Sequence, residues 1–121
     1  MTTKVETIHD GEFILDIEET MSIDKATLIT GQNLISGTVL GKITASGKYT
    51  QHNTAATDGS QTAVAILRSD IDATSVDKPC VIVARLAEVA DARLTYMTGI
   101  TAPNKTAAIA ALLTQNIIVR T

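Results

Sequence analysis

Two histidines, one cysteine and a close pair of aspartates are the residues of this 121-residue chain whose types could do chemistry. His9 and His52 stand 43 positions apart and Cys80 follows 28 later, so they do not form the close pairs from which zinc sites are built. His9 lies in the polar stretch "TIHDG" and His52 in the turn-rich "QHNTAATDG", which predicts a solvated ring for each. Cys80 sits inside the apolar run "PCVIVARL", where a thiol is expected to be buried and inert rather than nucleophilic. Asp70 and Asp72 in "RSDIDAT" are spaced to face one side of a strand, as an acid–base pair or a cation site requires. Loop acids more often cap turns, and that is the reading adopted. Neither a Gly-x-Ser-x-Gly elbow nor a phosphate-binding loop ending in Lys-Ser/Thr is present. The chain is therefore expected to be no enzyme and to hold neither cofactor nor metal.

Composition narrows the class further. At 121 residues one domain is expected. Hydrophobic residues make up 45% of the chain, yet aromatics only 2% and Trp is absent, so the core must be aliphatic. That removes the aromatic platforms on which single-stranded nucleic acid or sugars stack. A net charge of −3 gives no pull toward nucleic acid or an anionic membrane. No apolar run is long enough for a membrane helix, and no secretory leader is evident, so a soluble protein made in a cytoplasm is expected.

The elements that must carry any site read mostly as strands. Residues 1–24 hold seven acids against Lys4, a net −6, which leaves +3 on the remaining 97. Such a leader is too polar to order itself alone. Within it "EFILDIE" alternates with period two, the mark of a strand, either in the domain's own sheet or against a partner's edge. Further strands are expected around Val39 to Ile43, in "TAVAILRSDI", in "PCVIVARLAEV" as far as Arg85 with Pro79 at its start, and as a short one in "ARLTYMTG". Turns are expected at Ser46-Gly47 and Asp58-Gly59. One helix is expected in "ITAPNKTAAIAALLTQN", with Thr101 as N-cap, Pro103 in its first turn and Ala102, Thr106, Ile109 and Leu113 down one face. Asn116 suits its end, and "IIVR" returns as a terminal strand.

Two resemblances follow. "SIDKATL" resembles the Asp-Lys-Ala hairpin of lipoyl and biotinyl carrier domains, and "GQNLISGTVLGKI" their Gly-rich hairpin, which would make Lys25 an attachment site. The spacing opposes it, because such a domain needs strands on both sides of its lysine and only 24 residues precede Lys25. The second resemblance covers nearly the whole chain. "HDGEFILDIEE", "ATLITGQNLISGTVLGKITASGKYT", "AATDGSQTAVAILRSDIDAT", "VIVARLAEVADARLTY" and "GITAPNKTAAIAALLTQNIIVR", in that order, resemble the lambda-like head decoration proteins of tailed bacteriophages. One departure is "LTYMTGIT", where many relatives have Trp-Pro at Tyr96 and Met97.

That resemblance implies a mainly β (α+β) fold, a small β-clip-type barrel with one C-terminal helix. It implies a flexible N-terminal arm over residues 1–24 and a decoration domain over 25–121. The function it implies is structural: a homotrimer on the outer surface of the expanded capsid, bound to the major capsid protein and stabilising the shell. Such a protein would be made in the host cytoplasm during assembly and end on the virion. Under this reading "EFILDIE" belongs to the arm, and Phe13, Ile14, Leu15 and Ile17 are its expected capsid anchors. A β-rich adaptor of a cellular complex is the other non-enzymatic reading.

Overall fold

The computed structural model describes residues 13–17 and 19–121. The element order is β1 (Ile14–Ile17), α1 (Glu19–Ser22), β2 (Ile23–Leu28), β3 (Gln32–Leu34), β4 (Val39–Lys42), β5 (Tyr49–Gln51), β6 (Ala63–Leu67), β7 (Ile71–Ala73), β8 (Lys78–Val83), β9 (Ala87–Ala90), a 3-10 turn (Asp91–Arg93), α2 (Ala102–Thr114) and β10 (Ile117–Arg120). The fold is mainly β with one long C-terminal helix, as the sequence predicts.

Five strands close into a barrel in the order β2-β5-β4-β6-β8. The longest seam is antiparallel, β2 against β8, running from Ile23 opposite Val83 to Leu28 opposite Lys78. β5 closes the ring by lying parallel to β2 at Leu28 and Tyr49. A second sheet, β1-β9-β10, packs beside the barrel, with β1 antiparallel and β10 parallel to β9. β3 and β7 form a small two-stranded ribbon.

Successive residues of a strand point to opposite faces, and here both faces meet a core. Leu40, Leu67 and Ile82 join Leu28, Leu34 and Cys80 in one apolar cluster. Their sequence neighbours Val39, Ile66 and Val83 face the other way, into a cluster with Phe13, Val89, Leu112 and Ile117. The runs "VL", "IL" and "IV" thus supply two cores at once, which is why these strands show no polar face in the sequence. The first core fills the barrel, and the second joins it to the sheet and α2.

The glycines quoted in "SGTVLGK" are required by close approaches. Gly37 has φ of +92°, and a Cβ there would stand 2.7 Å from the Arg93 carbonyl oxygen. A Cβ at Gly41 would come within 2.6 Å of the Ser60 Cα and 2.8 Å of its carbonyl carbon. Both positions lack room for any side chain.

Three expectations change in detail. The strand expected through Arg85 ends at Val83, because Leu86 takes φ of +51° and turns the chain before β9 begins. "ARLTYMTG" is not a strand: Asp91–Arg93 forms the 3-10 turn, and only Thr95 bridges to Thr38. Asp91 holds the segment instead, accepting from the Tyr96 hydroxyl at 2.7 Å and pairing with Lys105 of α2 at 3.2 Å. In α2 the N-cap is Thr101, whose hydroxyl accepts from the Asn104 amide, but the buried face is Ala108 and Leu112. Leu113 is 57% exposed. Alanines flank both candidate faces, so apolar contrast in the sequence is weak, and the small Ala108 lets the helix sit close to the core.

Candidate functional site

β1 carries all but one of the sequence-designated anchors. Ile14 lies opposite Val89 and Ile17 opposite Ala87, so the stretch occupies an edge of the domain's own sheet. Phe13 is 1% exposed, with its ring in the core cluster, and its carbonyl accepts the Ala90 amide at 2.8 Å. Ile14 and Ile17 pack partly against the same cluster. Leu15 shares the alternation of Phe13 and Ile17, but the register shifts between Ile14 and Asp16, and at this bulge Leu15 is left 54% exposed. The structure thus places three of the four residues on β1 and Phe13 just before it, and sorts them by depth. Residue 24, the expected end of the arm, falls inside β2.

Beside β1 is a cleft of about 400 Å³ lined by Ile17, Leu86, Glu88, Leu113, Asn116 and Ile118. Leu86, Leu113 and Ile118 are exposed large apolar residues, so the wall of this cleft is largely apolar. Leu86 and Asn116 are also the only non-glycine residues with positive φ among the described residues, at +51° and +61°. Sequence reasoning missed this cleft. Asn116 carries a legible signal, since asparagine tolerates the left-handed conformation that ends a helix, but leucine does not announce one. Leu86 is held there by its surroundings: its carbonyl accepts from the buried Ser22 hydroxyl at 2.8 Å.

The remaining candidates resolve into structural roles. Lys25 lies in the middle of β2, opposite Val81, and not at the tip of a hairpin. A carrier lysine must project from a turn to reach its modifying enzyme, so the carrier reading loses its geometry. Cys80 is buried in the barrel, and burial pushes its thiol pKa up, as expected of an inert thiol. Asp70 caps the Ser36 amide at 2.7 Å, and Asp72 accepts from the amide and hydroxyl of Thr74, which holds its carboxyl below the usual range. Asp72 caps its own turn, as read from the sequence, whereas Asp70 ties its loop to the distant turn at Ser36. His9 lies outside the described residues.

His52 is corrected: it is not solvated but 2% exposed. The polar loop that follows it folds back, with the Asn53 amide donating to the Ser60 carbonyl at 3.0 Å, and covers the ring. Among the described residues no three His, Cys, Asp or Glu side chains gather as a metal set.

An edge strand presenting an apolar residue, a neighbouring apolar cleft and charged groups committed to caps and ion pairs together suit a surface made to be covered. The family model for bacteriophage lambda head decoration protein D matches residues 3–117. The chain belongs to that family. It is a structural, non-enzymatic family, and membership implies a capsid decoration role on the virion head. No single curated protein matches the decoration protein.

Proposed function

We propose that this decoration protein binds the outer surface of the expanded capsid as a homotrimer, contacts the major capsid protein through residues 1–24, and stabilises the shell. The observation that carries the arm assignment is Leu15, a leucine 54% exposed on an edge strand of the sheet. An edge strand offers unpaired backbone groups to an extended partner segment, and an outward leucine adds apolar contact. Phe13 seats that strand from inside, with Ile14 and Ile17 flanking. The exposed Leu86, Leu113 and Ile118 are the kind of surface that neighbouring copies in a trimer would cover.

Stabilisation follows by mass action, because a ligand that binds only the expanded lattice lowers the free energy of that lattice. Three arms on one trimer act at a high mutual effective concentration, so weak individual contacts suffice. During assembly the protein would wait in the host cytoplasm and reach the outer surface once the shell expands.

The experiment is sedimentation of the free protein at micromolar concentration, followed by thermal disruption of expanded heads with and without it. A trimer that raises the disruption temperature supports the reading. A monomer, or heads that fail at an unchanged temperature despite bound protein, removes the corresponding part of it.

A further inference from the structure

His52 is a buried titratable side chain for which capsid decoration has no use. It follows β5, and its amide donates to the Val39 carbonyl at 2.9 Å. Its Nε2 stands 3.0 Å from the Gln61 carbonyl oxygen, which can only accept, so Nε2 carries the proton and Nδ1 is bare. Nδ1 is buried and has no hydrogen-bond partner among the described residues.

The ring stands between two clefts. One, of about 360 Å³, is lined by Gln32, Asn53, Asp58, Ser60 and Met97 among others. The other, of about 240 Å³, lies between the loop and α2, against Gln61, Asn104, Ala107, Ala108 and Ala111. The loop of residues 53–62 meets this histidine at both ends, through the chain at Asn53 and through the Nε2 contact at Gln61. It is otherwise tied by the Asp58 carbonyl, which accepts the Thr44 amide at 2.9 Å, and by the Thr54 amide on the Met97 sulfur at 3.3 Å.

We propose that His52 is a proton-operated latch, closed while its ring is neutral and released when Nδ1 takes up a proton, which frees residues 53–62 from the barrel and from α2. Protonation turns the bare Nδ1 into a donor with no acceptor and places a charge in a site built for a neutral ring. The groups facing it do not answer that charge. β4 presents the Val39 carbonyl, already engaged, β6 presents Ala63, and α2 presents Asn104 and alanines. Lys105 of α2 is paired with Asp91 instead. Asp58 is the one charged side chain lining either cleft, and its Oδ1 already accepts from the Ser60 amide at 3.0 Å and the Ser60 hydroxyl at 2.5 Å. Burial accordingly holds the His52 pKa below its usual 6.5, only partly opposed by the Gln61 carbonyl.

Opening the loop takes up one proton, so the opening equilibrium rises about tenfold per pH unit below 6.5 until the closed ring itself titrates. The test is amide hydrogen exchange at Asn53 and Thr62 between pH 7 and pH 5, each rate divided by that of the same amide in His52→Gln. Glutamine keeps a donor for the Gln61 carbonyl but cannot titrate. The latch predicts a normalised rate that climbs as pH falls, in these loop amides and not in those of β8. An equal pH profile in the two proteins overturns it. Should His52→Gln fail to fold, the native protein decides alone, through the NMR titration of the ring set beside the loop exchange. A ring that titrates below 6.5 as the loop amides lose protection supports the latch. A ring that titrates at or above 6.5, as it would if Asp58 swung round to pair with it, overturns the latch, as does a loop that stays protected throughout.

Discussion

Phe13 and Leu15 are two residues apart, one just before β1 and one within it, and replacing each by alanine should do opposite things. Phe13 is 1% exposed, with its ring among Val39, Val89, Leu112 and Ile117. A buried phenyl ring removes on the order of 150–250 Å² from water, which at about 25 cal/mol/Å² is on the order of 4–6 kcal/mol. Substitution of core aromatics by alanine falls at about 3–5 kcal/mol, and the lower part of that range suits a strand at the sheet's edge, where the site can relax. Against a total stability of about 5–15 kcal/mol this is a large fraction, and it should lower Tm by roughly 10–20 °C. Leu15 is 54% exposed and should change stability by less than about 0.5 kcal/mol. The assay is urea unfolding of each purified variant, read as the shift in midpoint at constant slope. Phe13→Ala unfolding within about 1 kcal/mol of the native protein would refute the argument, since the ring would then not belong to the core. If Leu15 is a capsid anchor, Leu15→Ala unfolds normally but binds heads more weakly, which separates anchoring from folding.

Further outcomes follow from the same contacts. Leu112→Ala should cost about 2–5 kcal/mol and Leu113→Ala less than about 0.5 kcal/mol, so a pair of denaturation curves fixes which face of α2 is buried. Gly41→Ala, whose methyl would press on the Ser60 backbone, should destabilise by about 1–3 kcal/mol; unchanged stability would mean the loop is free to shift. Burial, followed by the hydrogen bond to Asp91, raises the Tyr96 pKa, so Asp91→Asn should bring the absorbance titration of one of the two tyrosines down while leaving it above the free value of 10.0. The Arg85 guanidinium holds the Asp24 carboxyl below its usual 3.8; the stabilisation from this exposed pair is present above that value and is lost as pH falls through the lowered one. In Arg85→Gln the Asp24 share of the acid limb should therefore vanish, so stability starts slightly lower at neutral pH and falls less steeply as pH drops below 3.8.

Much of the barrel was legible because strands facing two cores read as unbroken aliphatic runs. β4, β6, β8 and β10 were visible for that reason, and the N-cap at Thr101 for its hydroxyl just before Ala102-Pro103. β2 and β3 were not: "IDKATL" and "QNL" mix polar and apolar residues, and their pairing partners β8 and β7 lie 50 to 60 and 37 to 41 residues away in the chain. His52 was misread because a turn-rich sequence says nothing about whether the loop folds back over its own start. The Leu86 turn was hidden for a different reason, since it is imposed from outside by the sheet and by the Ser22 hydroxyl. Of the four anchor residues, alternation groups Leu15 with Phe13 and Ile17, and the bulge that turns Leu15 out arises from pairing with β9, some 70 residues away in the chain, which no local pattern announces.

The most direct test of the capsid reading is a binding isotherm on expanded, undecorated heads. Heads at fixed concentration are mixed with increasing full-length protein, pelleted, and the bound fraction is measured, with unexpanded heads in parallel. Binding that saturates on expanded heads and is absent from unexpanded ones is the result expected. No binding to expanded heads at any concentration, by protein that is folded, would contradict the account.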